Sequence, residues 1–433
     1  MAIGRAEWGV VLRASLGGAL EFYDFVVYGL FAAYIGKAFF PANDPLVSLM
    51  ASLAVFAVGY LARPLGGIIL SHFGDRFGRR KVFIATILGM SCATIGIGLL
   101  PGFAQLGYAA PALMILLRTV QGFCLGGELP GAITYVVETS PRQAGFAGGV
   151  VFFCVNSGVG LATLLSLILH SVLSDADVAD WGWRIAFLFG GACGLISFWL
   201  RLSLDETASF RKLSKTATQV PAAEVLSKYP GRVLVGICAL AATAGFNGLF
   251  FSAPAFFVPV LHYTPKETIV AQNFGLVVSS IGLLTVSWIG DRFPRRHLLA
   301  AGAALLLLLA YPFYAAANDR SVDLIPLFLG AGLVASLFHG VFMGIAADMF
   351  PTHIRFSGVA IVLNISFTLF SGLAPLAATA LVKMTGQPIG PAWFLMLCGG
   401  LTLIAGLVVR RYDGQILAEL GEGEAAAEPA AAE

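Results

Sequence analysis

Long apolar runs separated by short polar breaks repeat along almost the whole chain. They fall at about 9–40, 47–73, 82–100, 109–138, 145–173, 183–203, 231–260, 268–290, 298–317, 324–349, 357–384 and 392–410. A helix needs about 20 apolar residues to cross a bilayer, and it pairs its own backbone polar groups while doing so. The pattern therefore predicts an all-α polytopic membrane protein with twelve spans, the longest of them tilted. Two stretches interrupt it. Residues 204–230, with Asp205, Glu206, Arg211, Lys212, Lys215, Pro221 and Pro230, read as a linker between six-helix halves at 1–203 and 231–412. Residues 413–433 are mostly Ala, Glu and Gly and read as a disordered tail without coiled-coil heptads.

Charge decides the orientation. An even number of spans puts both termini on one side. The loops on that side, with the termini, hold 19 of the 26 Lys and Arg residues, against five on the other side. The remaining two, Arg63 and Arg118, lie inside spans. By the positive-inside rule the basic side is cytoplasmic. Composition agrees, with 58% hydrophobic residues and 12% charged, about half the charged fraction usual in soluble proteins. A net charge of +2 implies no nucleic-acid partner. The six cysteines stand singly in apolar runs and read as core residues, neither a disulfide framework nor a metal site. The first apolar run carries Glu21 and Asp24 and does not read as a cleavable signal peptide.

One string occurs twice. Gly74-Asp75-Arg76-Phe77-Gly78-Arg79-Arg80-Lys81 recurs as Gly290-Asp291-Arg292-Phe293-Pro294-Arg295-Arg296-His297, 216 positions later. Each copy follows an even-numbered span, so each is a tight basic loop at the cytoplasmic face. A repeat at half the chain length suggests two homologous bundles with a path between them. Glycine permits a sharp reversal, and the aspartate can accept from a neighbouring helix N-terminus or pair with an arginine. Gly74, Asp75, Arg76, Gly78, Arg79 and Arg80, with Asp291 and Arg292, are therefore candidate gating residues. Glu138 and Arg142 after span four, and Asp348 and Arg355 after span ten, are placed to interlock with the two loops.

These loops resemble the Gly-x-x-x-Asp-Arg-x-Gly-Arg-Arg pattern of the major facilitator superfamily. The second copy departs from it at Pro294, which implies a weaker latch there. Further strings resemble one branch, the metabolite:proton symporters. They are Leu20-Glu21-Phe22-Tyr23-Asp24-Phe25, Tyr60-Leu61-Ala62-Arg63-Pro64-Leu65-Gly66-Gly67, Arg118-Thr119-Val120-Gln121-Gly122 and Trp181-Gly182-Trp183-Arg184. The resemblance runs to about residue 410. It implies alternating access between two bundles, with Asp24 and Arg118 in the coupling and substrate region.

The residues support that chemistry independently. Ionisable groups deep in a bilayer cost several kcal/mol and point to function. Asp24 and Tyr28 follow Glu21 at i+3 and i+7, on one helix face. Arg118 and Gln121 are likewise i, i+3, and Arg63 falls near the midplane. A carboxylate beside a guanidinium stays ionised, and one cut off from it in a dry pocket holds a proton. Alternation between the two conditions carries a proton. Asp24 is the first candidate and Glu21 the second. Arg118 and Arg63 would hold a substrate carboxylate. Glu128, in a glycine-rich segment, reads equally as structural. The second half offers few buried ionisable residues, His339 with polar Asn247, Gln272, Asn273 and Asn364, and span five adds Asn156 as a candidate.

The expected function is proton-coupled uptake of a small carboxylated metabolite, such as a di- or tricarboxylate, across the cell inner membrane. The expected protein acts as a monomer in the lipid bilayer, with the proton as coupling ion and no cofactor. Zwitterion uptake of the proline and betaine kind is the alternative, and a non-transporting receptor is a third reading. The chain contains no GxxxxGK[S/T] phosphate loop for an ATP-driven pump and no helical spacing of histidines for a metalloenzyme. Span five reads Asn156-Ser157-Gly158-Val159-Gly160 and lacks the Gly-Pro of drug antiporters.

Overall fold

The computed structural model describes residues 5–43, 45–203, 221–258 and 260–409, with Gly414 and Ile416; within these, a few side chains, that of Glu21 among them, lie outside the described set. Most of the proposed linker and tail also lies outside it.

Eleven helices are long and apolar enough to cross a membrane, at Met50–Phe77, Arg79–Leu99, Ala109–Thr139, Pro141–Val172, Asp175–Leu202, Pro230–Phe251, Pro265–Gly290, Arg295–Asn318, Leu324–Asp348, Thr352–Thr385 and Gly390–Val408. The twelfth, at the start of the chain, is the pair Gly18–Leu30 and Ala32–Phe39, bent by 66°. They are numbered here as spans one to twelve in chain order. The bilayer-facing surface is apolar, with Trp199, Leu376 and Leu407 each about 70% exposed.

The sequence boundaries hold to within a turn or two, with one larger difference. Span six begins at Asp175 instead of near 183, because Ser174 caps a short helix through the Asp177 N–H and a π turn, Val178–Gly182, carries it into Trp183–Leu202. Span seven breaks where Pro254 removes a backbone donor. The helix Ala241–Phe251 ends, and Ala253–Phe257 continues it.

Spans two and four cross closely enough that a methyl group on Gly122 would overlap the Gly59 backbone. That crossing carries Arg63 and Arg118 into the interior, both at most 2% exposed. Deeper still, Glu128 pairs with Arg201 at 2.5 Å and accepts from Thr86 at 2.7 Å. Arg201 donates to the carbonyls of Phe83 and Ala14 and lies 3.6 Å over the Phe83 ring. By position Arg201 belonged with the basic loop residues, yet it is fully buried in span six. The pair ties spans one, three, four and six of one half together, which gives Glu128 a structural explanation.

Removing one partner of such a pair leaves a buried charge and costs about 3–5 kcal/mol. Glu128→Ala should therefore lower the thermal unfolding midpoint sharply, whereas the double replacement Glu128→Gln, Arg201→Met should recover most of the loss. Equal midpoints for the single and double variants would rule this out.

Candidate functional site

The central site is built from spans one, two, three and four. Arg118 Nη1 donates to Gln121 Oε1 at 2.9 Å, and Gln121 Nε2 donates to Thr94 Oγ1 at 2.8 Å. Thr94 Oγ1 in turn donates to Asp24 Oδ2. The result is a directed relay from guanidinium to carboxylate, with every donor pointing toward Asp24. Asp24 and Arg118 make no direct ion pair among the described residues. Asp24 Oδ1 and Arg118 Nε and Nη2 have no hydrogen-bond partner among them either. The two side chains line one small cavity with Gln121, Phe25, Gly59 and Gly122. Gly190 of span six abuts this carboxylate so closely that a side chain there would collide with Asp24 Oδ1.

Aromatic rings wall the guanidinium. Its carbon lies 4.1 Å from the Tyr28 ring centre, 5.5 Å from Phe56 and 5.7 Å from Phe25. Phe25 also packs on Phe56 at 4.3 Å and on Tyr60 at 4.4 Å. Tyr28 holds its hydroxyl on the Ser52 carbonyl at 3.2 Å, which fixes its ring beneath Arg118.

Arg63 lies elsewhere. Its Nε donates to Asn364 Oδ1 of span eleven at 3.5 Å, and its head sits between the Tyr60 and Phe367 rings. Asn364 Nδ2 reaches back to the Gly126 carbonyl at 2.8 Å. These contacts join the two halves at mid-depth. Asn156 does the same on the other side, donating to Ser280 Oγ at 3.1 Å.

In the second half, His339 is buried with Ser279 Oγ 3.2 Å from its Nδ1 and the Phe152, Phe246 and Phe338 rings around it. The Thr243 main chain lies beside it. His339 Nε2, Thr243 Oγ1 and Asn247 Nδ2 are buried without partners among the described residues. Thr243 and Asn247 stand one turn apart on one face of span seven.

A second set of polar side chains closes the face that carries the repeated loops. Asp75 accepts from Ser357 N at 2.9 Å and Ser357 Oγ at 2.7 Å, at the N-terminal end of span eleven. Asp291 accepts from Gly145 N at 2.8 Å and Phe146 N at 2.9 Å, at the N-terminal end of span five. Each copy of the loop thus caps a helix of the opposite half, where the helix dipole favours a carboxylate. Each also holds an arginine one turn on, Asp75 with Arg79 at 3.4 Å and Asp291 with Arg295 at 2.8 Å. Gly74 backs directly onto the Phe356 ring.

The copies differ where the sequences differ. Gly78 adopts φ of 107°, so spans two and three are separated by one residue. Proline cannot take that angle. Pro294, at φ −56°, follows a three-residue turn and starts span nine instead.

Glu138 binds Arg79 of its own half and Arg355 of the other, the latter at 3.1 Å, and all three are nearly fully buried. Arg79 also donates to the Thr352 carbonyl at 2.6 Å. Of the second pair, Asp348 accepts from the Gly414 and Ile416 backbone at 2.9 Å, and Arg142 stands exposed. Arg76 and Arg292 are exposed and stack on their own neighbours, Phe77 and Trp288. Arg80 donates to the Leu202 carbonyl at 2.7 Å.

Thr94, Ser357 and Thr352 were missed in the sequence reading. A threonine in an apolar helix normally returns its hydroxyl to its own backbone, so nothing in the pattern marks Thr94 as a relay. Arg201 had a signal, a lone arginine flanked by Leu200 and Leu202 at the end of an apolar run.

The sequence pattern of the Major Facilitator Superfamily matches residues 14–362. The chain is 35% identical over 420 residues to the proline/betaine transporter of Escherichia coli (strain K12), covering 92% of this chain and 83% of that protein. It is 33% identical over 425 residues to the citrate-proton symporter of Salmonella typhi, covering 95% and 96%. Its fold matches that of the proton:xylose symporter XylE bound to 6-bromo-6-deoxy-D-glucose, with a TM-score of 0.76, 17% identity and 94% and 95% coverage. Two bundles of six spans, crossed at their interface by a twice-repeated loop, place this chain in the major facilitator superfamily, as a membrane transporter and not an enzyme.

Proposed function

We propose that the chain takes up a small carboxylate-bearing solute together with a proton, with Asp24 as proton carrier and Arg118 as carboxylate anchor. The observation that supports this most is one cavity holding both side chains, relayed through Gln121 and Thr94, each with polar atoms left over for a ligand. With the basic face inside, both termini are cytoplasmic, and the closed loop face is the inner gate.

Charge counting refines the solute. Arg63 is engaged with Asn364 between the halves, which leaves Arg118 as the one guanidinium on the cavity. One guanidinium suits one carboxylate. The Phe25, Phe56 and Tyr60 rings suit a cationic group. A zwitterion such as proline or betaine matches both ends. A di- or tricarboxylate is the second reading, and it requires Arg63 to leave Asn364 for the substrate. The partnerless atoms of Thr243, Asn247 and His339 are the polar groups that the second half offers.

Proteoliposomes under an inward proton gradient test this. Proline or betaine should accumulate and citrate should not; accumulation of citrate alone reverses the choice of substrate, and accumulation that persists without the gradient removes proton coupling. Charge-assisted hydrogen bonds contribute about 1.5–3 kcal/mol each, so Arg118→Gln should weaken solute binding roughly 10- to 100-fold. Unchanged affinity in that variant would reject Arg118 as the anchor. Substrate counterflow separates a transporter from a receptor, which binds without exchanging.

A further inference from the structure

A cavity lies away from the charged site. It occupies about 340 Å³ within the second half, among spans seven, nine and ten. Its floor is the face of span seven formed by Phe246, Phe250 and Phe257, all buried. Its rim is different. Leu309 and Pro312 of span nine and Pro326 and Gly330 of span ten are exposed, on helix faces that also carry Leu308 and Leu333, more than half exposed. Buried floor and exposed apolar rim make it a slot that opens between spans nine and ten onto the bilayer.

Its shape follows from the residues. Gly330 has nothing within 4 Å of where a side chain would start, which leaves the mouth open. Span seven breaks at Ser252, next to the lining residue Ala253, and span nine contributes Pro312 to the slot. The wall runs from Leu306 to Ala316, about 15 Å at the usual helical rise. Tyr314 supplies the one side-chain hydroxyl among the lining residues.

We propose that this slot is a binding site for a phospholipid acyl chain. A solute with charge would lose its hydration there and gain no partner. An acyl chain reaches the mouth without leaving the hydrocarbon, because the rim is continuous with the lipid-facing surface. Aromatic walls on three helices supply dispersion contacts along an extended chain. The chain in the slot lies against Phe246, whose ring is 5.7 Å from His339, so it packs the back of the helix that carries Thr243 and Asn247.

A tryptophan reporter tests it. In full-length protein with the six native tryptophans replaced by phenylalanine, Phe328→Trp places an indole on the slot wall at a position 2% exposed. Phe313→Trp is a second reporter on the opposite wall. The proteins are reconstituted into phosphatidylcholine carrying brominated acyl chains, which quench on contact. Variants that keep only Trp199, 73% exposed, or only Trp183, fully buried, set the two limits.

The expected result is quenching of both reporters close to the Trp199 limit. Gly330→Leu at the mouth should bring them back toward the Trp183 limit while leaving Trp199 unchanged. Quenching no greater than that of Trp183, or quenching by aqueous acrylamide in place of the brominated lipid, would overturn the proposal.

Discussion

Replacing Asp24 by asparagine should collapse uphill accumulation to simple equilibration while substrate counterflow continues. Asparagine keeps the size of the side chain and an oxygen for the Thr94 hydroxyl, so the relay through Gln121 to Arg118 survives. It cannot carry a proton. One charge moving through 100 mV is worth about 2.3 kcal/mol, roughly a 40-fold concentration ratio at 1.4 kcal/mol per tenfold. That ratio should fall to about one in the variant. The measurement is the steady-state solute ratio in proteoliposomes under a potassium-diffusion potential, beside counterflow at zero potential. A variant that still concentrates solute would remove Asp24 from the coupling step. A variant dead in both assays would say that Asp24 binds the substrate directly.

The distinction matters because Asp24 has two neighbourhoods. One carboxylate oxygen receives the relay, and the other is buried without a partner among the described residues. In the proposed symport a proton on Asp24 and the solute carboxylate on Arg118 are held together, which gives a physical route to coupling. Gly190 leaves room for that second oxygen, which a side chain there would meet.

Much of this was legible in the sequence because membranes make charge conspicuous. Asp24, Arg63, Arg118 and Gln121 stand out in apolar runs, and the repeated loop stands out at half-chain spacing. Helix order and count followed from hydropathy alone. What the sequence hid was partnership. Arg63 and Arg118 look alike as lone arginines, but the crossing of spans two and four turns one toward Asn364 of the other half and one toward Asp24. Periodicity gives the face of a helix, not which of several neighbours that face meets. The matched pairs after spans four and ten suggested a symmetric interlock, and their partners differ: Glu138 meets Arg355 across the halves, and Asp348 accepts from the Gly414 and Ile416 backbone. The apolar slot had no signal, since Phe246, Phe250 and Phe257 are aromatics in an apolar run, a pattern shared by lipid-facing and path-lining residues.

The inner gate offers the second large effect. Glu138→Gln should open the loop face by shifting the conformational equilibrium at least 10-fold. Glu138 is the carboxylate shared by Arg79 of one half and Arg355 of the other, in a setting with almost no solvent. Neutralising it leaves two buried guanidiniums without its charge, with Asp75 beside Arg79. Breaking a buried pair costs about 3–5 kcal/mol. The Glu138–Arg355 pair joins opposite halves, so much of that cost falls on the closed state and little on a state in which the halves have parted. An equilibrium shifts by the difference between states. A cysteine at Ala360, fully buried between spans two, three and eleven, reports the opening when the six native cysteines are replaced. Its rate of modification by a small thiol reagent should rise at least 10-fold in the Glu138→Gln background. Asp348→Asn is the comparison, because that carboxylate accepts from backbone groups of the chain after span twelve. Equal rates in the parent and in Glu138→Gln would show that the node ties helices together without gating them. A rise in Asp348→Asn as large as in Glu138→Gln would place the gate in the docked segment after span twelve and not in the carboxylate–diarginine node.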